Sequence, residues 1–161
     1  NSQAAMKRKT KNRIITLVII AVAVLGLFWL FRGGKEGSEA EAKIISRSGL
    51  HWHATLKILI DGEAIQIPAN VGIGVVHNPM HTHEDDEVIH LEFQGLVTDK
   101  NLTLGKFFDV WNEKFDSQCI LDKCIGTEVG KTLMMTVNGV PNTEFGSYML
   151  KDGDEVIIEY K

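Results

Sequence analysis

Between positions 51 and 60 (HWHATLKILI) apolar and polar side chains alternate. Trp52, Ala54, Leu56, Ile58 and Ile60 fall on one face of an extended strand, and His51, His53, Thr55 and Lys57 on the other. Asp61-Gly62 is a two-residue hairpin signal, so Glu63 to Ile67 returns as a second strand that Pro68 closes. A glycine-rich segment, 70–79, leads into a polar loop from His81 to Glu87. Val88 to Phe93 reads as a third strand, with Ile89, Leu91 and Phe93 inward and Val88, His90 and Glu92 outward. The period then changes. Leu104, Phe107, Phe108, Trp111 and Phe115 recur at the spacing of a helix with an aromatic core stripe, entered at Thr103. Lys131–Val137 and Glu155–Tyr160 complete the strands, turned at Asn138-Gly139 and Asp152-Gly153, with at least one of Met134 and Met135 in the core. This order predicts an α+β domain: an antiparallel or mixed sheet with one helix packed on one face.

The first 43 residues follow a different pattern. Ile14 to Phe31 is an eighteen-residue run without a charge, about 27 Å long as a helix and enough to cross a hydrocarbon core. Lys7, Arg8, Lys9, Lys11 and Arg13 precede it with no acidic residue among them, whereas Glu36, Glu39 and Glu41 dilute the positive charge after it. The positive-inside rule predicts a single-pass signal anchor at 14–31, with residues 1–13 cytoplasmic and everything after Arg32 outside. The alternative is a cleaved signal peptide, for which Ser38-Glu39-Ala40 is a poor and late site. Residues 1–5, ahead of Met6, read as an upstream extension and carry no fold argument. Residues 32–43 form a small, polar, flexible linker, and 44–161 the extracytoplasmic domain.

Charge divides at the same boundary. Residues 1–43 carry eight Lys/Arg against three Glu, and 44–161 carry nine Lys/Arg against eighteen Asp/Glu. A domain that acidic repels phosphate backbones, which excludes nucleic acid as a partner. No phosphate-binding loop, dinucleotide fingerprint or nucleophile elbow occurs in the 161 residues. Cys119 and Cys124 follow the helix region; outside the membrane their simplest reading is a disulfide, with a redox pair or two thiolate ligands as alternatives.

All six histidines lie between positions 51 and 90. His51 and His53 project from one strand face, His81 and His83 repeat that spacing, and His90 adds a third position on the outward face of its own strand. Neutral imidazole binds Zn, Cu, Ni and Fe, and three or four rings suffice for a site. Glu84, Asp85, Asp86, Glu87 and Glu92 surround the cluster and supply further ligands, acceptors for ring N–H groups, or attraction for a cation. His77, Met80, Glu87 and Glu92 are the additional ligand candidates, and Met80 beside His81 favours copper. Without thiolates, Cu(II) binds such sites most tightly, while zinc is the commonest structural occupant.

Three resemblances bear on these residues. Val137-Asn138-Gly139 followed by Leu150-Lys151-Asp152-Gly153-Asp154-Glu155-Val156 resembles the closing half of β-grasp domains of the ubiquitin and sulfur-carrier type. It implies that fold, but not the sulfur-carrier activity, which needs a terminal Gly-Gly where this chain has Tyr160-Lys161. The whole stretch from His51 resembles an uncharacterised extracytoplasmic bacterial family with a His-x-His strand, a His-Thr-His loop (Met80 to His83) and a Thr-Leu-Gly-x-Phe-Phe-Asp-Val-Trp helix (Thr103 to Trp111). His81-x-His83-x3-Glu87, between Gly74 and Gly95, loosely resembles the first cupin motif, although no histidine follows His90 to complete the second. The expectation is a membrane-anchored domain that binds copper or zinc for capture or delivery, with no catalytic residues. The alternatives are an envelope interaction module without metal and a cupin-like metal enzyme.

Overall fold

The computed structural model describes Ile20, Val22, residues 41–84 and residues 86–161. The expected cytoplasmic segment 1–13, the rest of the expected anchor 14–31, and the linker up to residue 40 lie outside the described residues. No helix among the described residues is long and apolar enough to cross a membrane.

The domain, Ala42–Lys161, is built around β2 (Leu50–Ile60). Its alternation survives folding: Ala54, Leu56 and Ile58 are buried, while His51, His53, Thr55 and Lys57 are exposed. Asp61 (φ 53°) and Gly62 (φ 85°) turn the chain in the left-handed region, as the hairpin signal requires. The returning strand β3 (Glu63–Ile65) is two residues shorter than the sequence predicts, although Ile67 still reaches the core.

β11 (Glu155–Tyr160) runs parallel to β2 along Thr55–Ile60, and β5 (Val88–Phe93) pairs antiparallel with Leu50–Thr55. Outward from β11 lie β9 (Leu133–Val137) and β10 (Val140–Asn142); outward from β5 lies β4 (Met80–His81). The sheet is thus mixed, in the order β10-β9-β11-β2-β5-β4 with β3 also on β2. Two short pairs stand apart: β1 (Ile44–Ser46) with β6 (Val97–Thr98), and β7 (Cys119–Ile120) with β8 (Lys123–Cys124). Met135 is buried and Met134 exposed, as strand alternation demands.

Within the domain the helix α1 (Leu104–Trp111) packs Leu104, Phe107 and Phe108 into the core. It is shorter than the aromatic spacing implies. Asn112 adopts the left-handed conformation (φ 60°), and its N–H bonds to Asp109 and Phe108 carbonyls, closing the helix there. Phe115 therefore lies beyond the helix but still stacks on Phe108, ring centres 4.5 Å apart. Thr103 occupies the N-cap position without a side-chain capping bond. Near the helix start a Cβ on Gly105 would meet the Gly146 carbonyl at 2.8 Å. Gly105→Ala is expected to cost about 1–3 kcal/mol by overpacking, read as a lower urea midpoint at unchanged slope.

Cys119 and Cys124 are joined across the β7–β8 hairpin, and no described cysteine is free. Closing so short a loop contributes at most about 2–3 kcal/mol in the chain-entropy model. Reduction is therefore expected to lower the melting temperature by several degrees and leave the domain folded, as followed by circular dichroism with and without reductant.

Candidate metal centre

The sheet has two faces, and the chemistry is on the one opposite the helix. On β2 the outward positions are His51 and His53; on β5 they are His90 and Glu92. Register brings them together: His51 pairs with Glu92 and His53 with His90. From the other side β4 sets His81 directly opposite His90. Three adjacent strands thus carry His53, His90 and His81 in one row.

β4 corrects the expectation of an open loop at His81. Met80 and His81 form a two-residue strand, and His81 is only 1 % exposed. Its ring packs among those of His77, His83 and His90, with centres 5.1, 4.7 and 5.5 Å away, and the segment before it loops back so that Val71 lies beside Thr82. Thr82, also 1 % exposed, holds that fold: its hydroxyl donates to the Pro68 carbonyl (2.8 Å) and accepts the Val71 N–H (3.0 Å). The Thr82 N–H bonds to the Val71 carbonyl and the Asn78 N–H to the Gly72 carbonyl. Gly72 (φ 75°) leaves no room for a Cβ, which would sit 2.7 Å from the Met80 carbonyl. The middle residue of His-Thr-His is thus the anchor that presents the two rings. On the opposite flank, Asp152 Oδ1 accepts the His53 N–H (3.0 Å) and the Gly153 N–H bonds to the His53 carbonyl (2.7 Å), so the Lys-Asp-Gly-Asp turn fixes β2 at the site.

Among the described residues two groups of side chains could hold a metal ion: His81, His83, His90 and Glu92, and His51, His53 and His90, with the ligand atoms of each group within 4.8 Å of one another. The rings of His83 and His53 lie 4.6 and 4.7 Å from that of His90. His81 Nε2 is 3.2 Å from His83 Nε2, and His51 Nε2 is 3.2 Å from His53 Nε2. Two ligands on one ion with bonds of about 2.0 Å stand about 3.3 Å apart in a tetrahedron and about 2.8 Å apart at a right angle, so both pairs have the spacing of cis ligands. His81 Nδ1 lies 3.0 Å from the Asn78 carbonyl. A proton there fixes the tautomer that leaves Nε2 free to ligate. His90 Nδ1 is buried without a hydrogen-bond partner, an arrangement that costs about 1–3 kcal/mol unless something occupies the site.

Burial lowers the pKa of both interior rings. For His81 desolvation outweighs the Asn78 carbonyl and Glu92, which act the other way. For His90 desolvation is reinforced by repulsion from His53, His83 and His81. Both therefore stay neutral, the metal-binding form, at neutral pH.

The remaining candidates are placed less centrally. Glu92 joins the first group and also lies 3.3 Å from His51 Nε2. His77 is exposed, its ring 5.1 Å from that of His81, and belongs to neither group. Glu87 belongs to neither; its backbone bends with φ 65° and its carbonyl accepts the Leu56 N–H. Met80 is buried on the core face of β4, because alternation turns it away from His81, so the thioether that favoured copper is not at the site. Cys119 and Cys124, bonded to each other, are in neither group.

Thr82→Val keeps the ligands and removes both hydroxyl bonds. It is expected to weaken metal binding about 10–100-fold, the usual cost of losing an outer support, as read by competition with a chromophoric chelator. No family model, curated protein or solved structure matches this chain.

Proposed function

We propose that residues 44–161 form an extracytoplasmic transition-metal-binding domain, tethered by the span at 14–31, that captures copper or zinc and delivers it to a partner at the membrane. The observation that carries this reading is the first ligand group: three imidazoles and a carboxylate, one ring buried and preset in its tautomer, one ring nitrogen unpartnered. The β2–β11 pair, parallel and central with antiparallel partners outside it, supports the β-grasp-like reading of the domain. Three imidazoles with one carboxylate suit zinc, and the Irving–Williams order keeps Cu(II) as the tighter competitor.

Calorimetry of the full chain with Zn(II) and with Cu(II) tests the proposal. Binding tighter than about 10 μM is expected, and failure of both metals to reach that affinity would overturn the metal reading. The interaction-module reading then takes its place, favoured by the exposed Val75 and Val76 beside His77.

The pH dependence has a defined sign. Ligating nitrogens must be free of protons, so affinity should be nearly flat at pH 7–8 and fall steeply below about 6.5, the ordinary imidazole value. His81 and His90 lie below that value in the folded state. The stability they contribute is present above pH 6.5 and is lost as pH falls through their lowered values. Chemical denaturation of metal-free protein between pH 7.5 and 5 should show this decline, and saturating Zn(II) should offset it at the upper end of the range.

A further inference from the structure

The two ligand groups share His90 and nothing else. His53 and His81 flank it on neighbouring strands, so their backbones stand about 10 Å apart across the sheet. One ion with bonds of about 2.1 Å joins only donors within about 4.2 Å of each other. Each flank nevertheless has its own pair of Nε2 atoms at 3.2 Å, His51 with His53 and His81 with His83. A single-ion site needs one such pair. The second pair, equally closed and on the far side of the same ring, has no role in it.

His90 is suited to stand between. An imidazole has nitrogens on two edges of its ring, and His90 Nδ1 is buried without a partner. Its ring centre lies 4.7 Å from that of His53 and 4.6 Å from that of His83, nearly midway between the flanks. Glu92 spans the same gap, since it belongs to the His81–His83 group and also lies 3.3 Å from His51 Nε2.

Resting on the metal reading above, we infer that the cluster takes two divalent transition-metal ions, one on each flank of β5, with the His90 ring bridging them. The His51–His53 ion has three imidazole ligands; the other has His81, His83, His90 and Glu92. When the second ion binds, the His90 ring exchanges its remaining N–H proton for a metal–nitrogen bond, and the proton passes to solvent. The anionic ring and the Glu92 carboxylate offset part of the repulsion between two dications about 6 Å apart.

The test is stepwise Cu(II) loading of the full chain, followed by native mass spectrometry and by spin counting in electron paramagnetic resonance. Two ions per chain are expected, with the signal rising to the first equivalent and then falling by more than half as the bridged pair couples. One ion per chain would overturn the two-ion inference and leave the metal reading intact; no ion would overturn both. Two ions with full, independent spin intensity would overturn the bridge. His51→Ala/His53→Ala should retain one ion, with full signal and unchanged circular dichroism, because both side chains are exposed. His90→Gln should abolish the coupling; a coupled pair that persists in this variant would assign the bridge elsewhere and overturn the role given to His90.

Discussion

His81→Ala/His83→Ala is expected to weaken the first Zn(II) ion by at least about a thousandfold. Four-ligand zinc sites are worth about 10–16 kcal/mol at neutral pH, or about 3 kcal/mol per ligand. Losing two of them removes more than the roughly 4 kcal/mol that a thousandfold represents. The His81–His83 flank is the tighter of the two because its geometry exists before metal arrives: Thr82 fixes the loop, Asn78 the tautomer, and burial the neutral state. The His51–His53 flank has exposed rings that must be ordered on binding. Because His81 is buried, its removal also disturbs packing. The companion variant His83→Ala/Glu92→Ala removes two exposed ligands and leaves the core intact. Calorimetry of both variants, each confirmed as folded, separates lost ligation from lost structure. An affinity within tenfold of wild type in the companion variant would show that the first ion is held elsewhere.

The parts of this architecture that are local in the chain were legible in the sequence. Alternation along 51–60 and 88–93 identified the outward faces of β2 and β5, and β5 and β11 have the predicted bounds, because period-2 patterning reports half-burial directly. Asp61-Gly62 and Asn138-Gly139 marked their turns because few residue pairs tolerate the left-handed backbone required there. What depends on distant partners was not legible. β4 is two residues long and exists only because β5 pairs with it, so no periodicity announces it. Its formation buries His81 and turns Met80 inward. The shared position of His90 is likewise a matter of register: it follows from His53 and His81 both standing opposite one residue. The helix end was readable in principle, since Asn112 after Trp111 is a residue that tolerates the left-handed cap, but the aromatic spacing continued past it to Phe115.

Asp154→Ala should destabilise the domain by about 3 kcal/mol, the larger of the stability effects. Asp154 is one of three buried polar residues among those described, and its carboxylate accepts three bonds: from the Tyr148 hydroxyl (2.8 Å), the Lys151 N–H (2.8 Å) and Asn138 Nδ2 (3.0 Å). These donors come from three separate places: the β9–β10 turn, the segment before the last turn, and that turn itself. Asn138 Oδ1 in turn accepts the Glu155 N–H, so the network ties both turns to the start of β11. Burial, strengthened by the neighbouring carboxylate, holds the Tyr148 hydroxyl protonated far above the ordinary tyrosine value, so it donates to that carboxylate. Truncation strands that buried hydroxyl, which costs about 1–3 kcal/mol, and removes the partner of the part-buried Lys151 N–H and Asn138 Nδ2 bonds as well. Asp154→Asn retains a carbonyl oxygen and should recover part of the loss. Urea unfolding, with slope and midpoint fitted separately, gives the ranking wild type, Asp154→Asn, Asp154→Ala. The Asp154 carbonyl also accepts the Thr55 N–H, and the Gly153 N–H bonds to the His53 carbonyl. Loosening this turn should therefore reach the metal face as well, with Asp154→Ala weakening the His51–His53 ion more than the His81–His83 ion. Equal weakening of both ions would show that the turn supports the fold alone and does not position His53.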